Sequence, residues 1–216
     1  MRIKFEERLD TLNESLICMC NLASEAISQA MIGLRDKDAE LAKKVMADDA
    51  NINAKEKEIE ALCLELLLRE QPVASDLRFV TSVLKMITDL ERIGDQAADI
   101  AFLNLKLSKR DYNVEDLGSV IEMAKMTKSM VEDVINAHVS GDSDLAVNVI
   151  ERDTEVDEAF MMVRKEVIND IKSGEFRTKN TLDIFMIAKY LERIGDHAEN
   201  IGRRVYYSLK GEHLAE

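Results

Sequence analysis

The chain has no tryptophan, one proline and eight glycines in 216 residues. Nowhere does it alternate apolar and polar residues long enough for a half-buried strand, so a sheet protein is excluded and a helical one expected. The three cysteines, Cys18, Cys20 and Cys63, are too few for a disulfide scaffold. Cys18 and Cys20 stand two apart on an expected helix, point to opposite sides and cannot grip one metal; buried, reduced thiols are expected. Positive charge is also scarce: 29 Lys and Arg against 42 Asp and Glu leave a net charge of −13. That balance excludes the clustered basic footprint of a nucleic-acid binder and unassisted docking on an anionic membrane. Cations are the partner class such a charge attracts. The start, "MRIKFEERLD", lacks the apolar core of a secretory signal. The longest stretch without a charged side chain, Ser15 to Ser24, falls short of the roughly 20 apolar residues that span a bilayer. A soluble, cytoplasmic protein is expected.

Apolar residues return at helical spacing, as in Leu84, Ile87, Leu90, Ile93, Ala97, Ile100 and Ala101. Breakers at Gly33 to Asp38, Gln71 to Ser75, Ser108 to Asn113, Gly141 to Ser143 and Ser173 to Arg177 divide the chain into six helices. These are predicted near 5–34, 38–70, 75–108, 114–140, 143–172 and 177–210, with Asn113 and Asp142 as N-caps and Asp76 at the positive end of the third helix. Helices this long point to a bundle. Methionine is abundant, and Met161, Met162 and Met186 are expected in the core, with an adaptable partner-binding groove as the alternative. "KEKEIE" at 55–60 reads as a solvated helix face.

The chain repeats itself. "LERIGDQAADI" at 90–100 recurs as "LERIGDHAENI" at 191–201, and "DAELA" at 38–42 is answered by "DSDLA" at 142–146. The two offsets differ by three residues, absorbed by the longer "EQPVASD" turn of the first half. The expected fold is therefore all-α, two tandem three-helix bundles covering 1–108 and 112–216.

In the third helix Glu91, Asp95 and Asp99 step by four residues, and each step turns the helix by only about 40°, so the carboxylates share a face. Glu192, Asp196 and Asn200 repeat the pattern in the sixth. Gly94 and Gly195 lie beside them at equivalent places, where glycine costs a helix about 1 kcal/mol against alanine; close approach by a neighbouring helix is the expected reason. Folding the second and third helices antiparallel about Pro72 sets Asp49 level with Asp95 and Asn53 level with Glu91. Folding the fifth and sixth about Gly174 sets Asp153 level with Asp196 and Asp157 level with Glu192. Each hairpin thus gathers acid and amide oxygens from two helices at one height. The simpler reading is a set of solvated acids balanced locally by Arg92 and Arg193. The functional reading is a site for a hard cation, Mg²⁺, Ca²⁺, Mn²⁺ or iron, because thiolate and imidazole ligands are missing. A ferritin-like di-metal carboxylate oxidase is the alternative of a different class, but it calls for Glu-x-x-His pairs. Here His197 follows Glu192 by five, and Gln96 stands in its place in the first repeat. Acid–base chemistry lacks an accompanying nucleophile or phosphate cradle.

The tandem "DLERIGDQAADIA" and "YLERIGDHAENIG", the "QPVASDLR" turn and the Asp-x-x-x-Asn and Asp-x-x-x-Asp pairs closely resemble the PhoU family, accessory regulators of bacterial phosphate-specific transport. The resemblance covers essentially the whole chain. It implies two three-helix bundles related by pseudo-two-fold symmetry, a homodimer and no catalysis. It also implies metal ions, iron or Mn, Mg or Zn, in multinuclear sites on the motif residues Glu91, Asp95, Asp99, Glu192, Asp196 and Asn200, with Asp49, Asn53, Asp153 and Asp157 opposite. The partners implied are the ATPase subunit of a phosphate ABC transporter and a membrane sensor histidine kinase, with negative regulation of the phosphate-starvation response when phosphate is plentiful. Contact with the membrane is implied only through those partners.

Overall fold

The computed structural model describes every residue except 1, 111, 113–116, 174–177, 215 and 216. Among the described residues six helices and no strand are found: α1 (Arg2–Asp36), α2 (Ala39–Glu70), α3 (Ser75–Leu107), α4 (Gly118–Ser140), α5 (Ser143–Ser173) and α6 (Thr178–Lys210). The repeated "DAELA" and "DSDLA" segments start the second helix of each unit in the same way. Asp38 accepts hydrogen bonds from the Glu40 and Leu41 amides at 2.9 and 3.0 Å, and Asp142 accepts from Asp144 and Leu145 at 3.0 Å each. Each cap satisfies amides that a helix start leaves open and contributes about 1 kcal/mol. Asn113 and Gly174 lie outside the described residues; α4 begins at Gly118 with no side-chain cap.

The first turn, around Pro72, is tight. Gln71 takes the left-handed conformation at the end of α2 (φ 47°), and Ala74 stands at φ 50°, ψ −116° just before α3. Asp76 follows in the first turn of α3, on the favourable side of the helix dipole.

Helices α1, α2 and α3 pack on one another, as do α4, α5 and α6, and the two units join through α3 against α6 and α1 against α4. Buried side chains form one continuous core through both units, from Leu16, Ile27, Ile59 and Leu90 to Val131, Val156, Leu191 and Val205. Between the units, Tyr112 donates its hydroxyl to the Leu34 carbonyl, Lys37 donates to the Tyr112 carbonyl at 2.7 Å, and Arg110 pairs with Asp183 at 2.5 Å. The centre of the molecule is the α3–α6 seam. His197 bonds Asp89 at 2.9 Å through Nδ1, and Tyr190 hydrogen-bonds Asp99. Residue numbers therefore rise along one helix as they fall along the other, so the seam is antiparallel.

Three expectations from the sequence are corrected. Cys20 and Cys63 are buried, and burial pushes both thiols up to about 12, but Cys18 is exposed because it lies on the outward face of α1. Met161 and Met162 are 54% and 64% exposed, and Met186 is exposed too, because they fall on the outer faces of α5 and α6. Beside the α5 pair, Phe160 and Val163 turn to the core instead. By length and composition α1 does reach the range of a membrane span, with a mean hydropathy of 1.3 over its best window. In the fold its apolar stripe, Leu12, Leu16, Met19, Ala23, Ile27, Ala30 and Leu34, is buried in the shared core.

Candidate metal centre

The glycines explain how the acids meet. A Cβ on Gly94 would lie 2.7 Å from Ile52 Cδ1 and 3.3 Å from Asp49 Oδ1; one on Gly195 would lie 2.8 Å from Asp153 Oδ1 and 3.2 Å from Val156 Cγ1. The missing side chains let α2 press on α3, and α5 on α6, until a carboxylate of one helix lies against the backbone of the other. Leu90, Ile93, Ile52 and Ile59 in the first unit, with Leu191, Ile194 and Val156 in the second, fix each helix's rotation by burying the opposite face.

In the first strip Asp49 stands across from Asp95 and Glu91. Its proton affinity is raised by burial, then by Asp95, is partly relieved by a hydrogen bond from Asn53, and is raised again by Asp99. That bond runs from Asn53 Nδ2 to Asp49 Oδ2 at 2.9 Å. Glu91 is raised by burial and Asp95, with Glu56 and Asp49 adding and Arg92 opposing. Asp49 Oδ1 and Asn53 Oδ1 are shut away from solvent and accept no hydrogen bond. An unsatisfied buried acceptor is costly, about 1–3 kcal/mol.

The second strip is more crowded. Asp153 is pushed up to about 7 by burial, then by Glu199, Asp196, Asp157 and Glu192. Asp196 is raised by burial and then Glu192, against Lys189 and His197. Where the first strip has the amide of Asn53, the second has the carboxylate of Asp157.

Basic side chains hold these acids apart. Arg92 reaches Asp95 at 3.0 Å and Glu91 at 3.4 Å, and Lys189 pairs with Glu192. Asp99 is raised by burial and then by Asp95, and Arg193, expected to balance its own strip, opposes that rise from the other unit across the seam. Asp99 is thereby shared between the first strip and the seam. Asn200 lines a hollow with Glu199, Arg203, Arg204 and His213 at the end of α6. Glu56 and Glu199 act on the strips without having been expected: Glu56 is one turn beyond Asn53, and Glu199 answers Ala98 of the first repeat, so comparing the repeats hides it.

Oxygen-only donors, crowded desolvated carboxylates and two orphaned buried acceptors fit a hard cation in chemistry. The strips are open, however. Among the described residues no three His, Cys, Asp or Glu side chains converge as a closed ligand set, and Arg92 and Lys189 already pair with Glu91, Asp95 and Glu192. A cation there would compete with those groups.

Fold and site together define a class: an all-α protein of two like three-helix units, each with an acidic strip along its second hairpin. The PhoU domain family model matches residues 16–103 and again 120–205. The chain is 34% identical over 212 residues to the phosphate-specific transport system accessory protein PhoU homolog of Streptococcus pneumoniae, covering 98% of both chains. It is 32% identical over 208 residues to that of Pseudomonas aeruginosa, covering 96% of this chain and 86% of the relative. Its backbone is similar to the crystal structure of PhoU from P. aeruginosa, with a TM-score of 0.92 at 32% identity over 96% of this chain and all of that one. The S. pneumoniae regulatory protein PhoU gives 0.90 at 31% identity over 98% of this chain and all of that one. The chain belongs to the PhoU family.

Proposed function

We propose that this protein is a non-catalytic, cytoplasmic regulator of phosphate transport whose two acidic strips bind metal ions. The transport role rests on one observation: relatives named for it match this chain over nearly its whole length, in both repeats and in fold. In this reading the protein links the ATPase subunit of a phosphate ABC transporter to a sensor histidine kinase and holds the phosphate-starvation response off when phosphate is plentiful. The homodimer and contact with the membrane only through partners belong to the same reading. An exposed apolar face on α5 and α6, with Met161, Met162, Ile168, Ile171, Leu182 and Met186, supports a role in protein contacts, since patches of this kind mark interaction surfaces.

The metal reading draws on Asp49, Asn53, Glu91 and Asp95, with Asp99 shared, in the first strip, and on Asp153, Asp157, Glu192 and Asp196 in the second. Iron, Mn, Mg or Zn, singly or as a cluster, would supply positive charge that relieves the like-charge crowding and ties each pair of helices together. The oxidase alternative gains no support, because His197 turns to Asp89 across the seam.

Deleting the gene and measuring phosphate-starvation transcripts in high phosphate tests the regulatory role; derepression is expected, and unchanged expression would remove it. Elemental analysis of the purified protein, beside a variant carrying Asp95→Ala and Asp196→Ala, tests the metal. The variant is expected to lose bound metal while keeping its helical content. Metal-dependent oxygen or peroxide turnover by the unaltered chain would favour the oxidase instead.

A further inference from the structure

One cavity shares Glu199 with the second acidic strip and has the opposite character. At the end of α6, Glu199, Asn200, Arg203, Arg204, His213 and Leu214 line a hollow of about 450 Å³. In a chain of net charge −13, two arginines and a histidine around one hollow are a local reversal of sign.

The hollow is built by the backbone. The Gly211 amide bonds the Tyr207 carbonyl at 2.8 Å as α6 ends. Gly211 then turns the chain at φ 79°, a conformation that L side chains rarely adopt. A Cβ on this residue would also lie 3.3 Å from Arg78 Cζ. The turn lays His213 flat against Tyr207, with ring centroids 4.5 Å apart and planes 10° from parallel, and so closes the hollow's wall.

The charges inside are unequally committed. Arg203 donates through Nε and Nη2 to the same Glu199 oxygen at 3.0 and 2.7 Å, so Glu199 neutralises it. Arg204 is different: its Nε is shut off from solvent and donates to nothing. The buried Nε is out of a ligand's reach, but Arg204 lines the hollow with no acid paired to it among the described residues, and a guanidinium's planar fork is matched by the oxygens of a phosphate.

We propose that this hollow is an oxyanion site that takes a phosphate group, either free or carried on a small metabolite. Arg204 is the principal donor, and His213 and the Asn200 amide are placed to assist. The proposal rests on the cavity and its charges, independently of the metal reading.

Calorimetric titration of the full chain tests it, with EDTA present so that metal on the acidic strips cannot capture the ligand. Inorganic phosphate is used in one arm and AMP in the other. Saturable binding in at least one arm is expected, and the responding arm identifies the source. Arg204→Gln is expected to weaken that binding about tenfold or more, the usual loss for a charge-assisted hydrogen bond. Should that variant fail to fold by circular dichroism, Arg204→Lys and His213→Ala carry the test, since lysine keeps the charge but loses the fork. The surface variant Lys43→Gln on α2, outside both sites, is expected to bind as the unaltered chain does. No saturable binding of either probe up to about 10 mM, or binding that Arg204 and His213 variants leave unchanged, would overturn the proposal. Gene deletion would still report on phosphate regulation in that event.

Discussion

The two acidic strips share a hairpin geometry and differ in charge. In the first, Asn53 gives Asp49 a neutral donor at 2.9 Å, and Arg92 answers two of the acids. In the second, Asp157 replaces the amide and Glu199 is added, and Asp153 is pushed up to about 7 by burial first and then by Glu199, Asp196, Asp157 and Glu192. Backbone packing is alike in both, because Gly94 and Gly195 admit Asp49 and Asp153 in the same way. Burial raises the central acid in both strips, and the charges around it then differ: one fold positions two sets of oxygens, and single side chains add to or relieve the crowding in each.

The largest effect is expected at Asp153. Its ordinary value is 3.8 and its folded one about 7. Between those values the folded metal-free chain holds a proton that the unfolded chain has released, so stability falls as pH rises across that window and levels off above it. Half-burial and solvent screening reduce the contribution to about 1–2 kcal/mol. Asp153→Asn should remove that pH dependence and stabilise the metal-free protein at pH 8. It should also cost the second strip more than the roughly 10- to 100-fold in cation affinity that a merely supporting residue costs. Thermal melts at pH 5 and 8, with EDTA and with added Mn²⁺, read both. A variant that melts like the unaltered chain in all four conditions would remove Asp153 from the site.

The same comparison shows what the sequence makes legible. Helical period and turn position set the height of every side chain, so Asp49 with Asp95 and Asp153 with Asp196 follow from numbering alone. The DAELA and DSDLA starts mark true caps because capping is a local interaction. The seam is different. Asp89 with His197 and Asp99 with Tyr190 depend on α3 meeting α6, two helices from separate hairpins, and no local pattern states which faces meet. Arg193 was misjudged for that reason: within its own helix it is a neighbour of Glu192, while in the fold it serves Asp99. Glu199 was hidden because internal repetition reveals what two units share, and a carboxylate present in one unit alone leaves no echo. The exposed positions of Met161 and Met162 likewise depend on which face of α5 the second unit covers.

Next in size are the two glycines. Alanine at Gly195 would set its Cβ 2.8 Å from Asp153 Oδ1 and 3.2 Å from Val156 Cγ1, and alanine at Gly94 would set it 2.7 Å from Ile52 Cδ1 and 3.2 Å from Ile52 Cγ2. The distances are alike, but Ile52 is apolar and can turn aside, whereas Asp153 is crowded by like charges. Gly195→Ala should therefore destabilise by about 2 kcal/mol. Gly94→Ala should cost less, because a rotamer change of Ile52 relieves its contacts; the gain of about 1 kcal/mol in helix propensity is common to both positions. Urea denaturation compares them; equal losses would mean that both hairpins yield alike and that the second is no more tightly held.

The smallest expected effect tests the charge argument most directly. Asn53→Asp converts the first strip toward the second by removing the donor to Asp49 and adding a charge beside it. In the metal-free chain it should destabilise by about 1 kcal/mol at neutral pH, or about 2–4 °C for a chain of this size. Added Mn²⁺ should restore more than that loss, since a hard cation gains an anionic ligand where it had an amide. Asp157→Asn should do the reverse in the second strip, raising the metal-free melting temperature and shrinking the response to the cation. If both exchanges leave the cation response where it was, the strips are solvated acids held by Arg92 and Lys189, and charge count has nothing to do with ion binding.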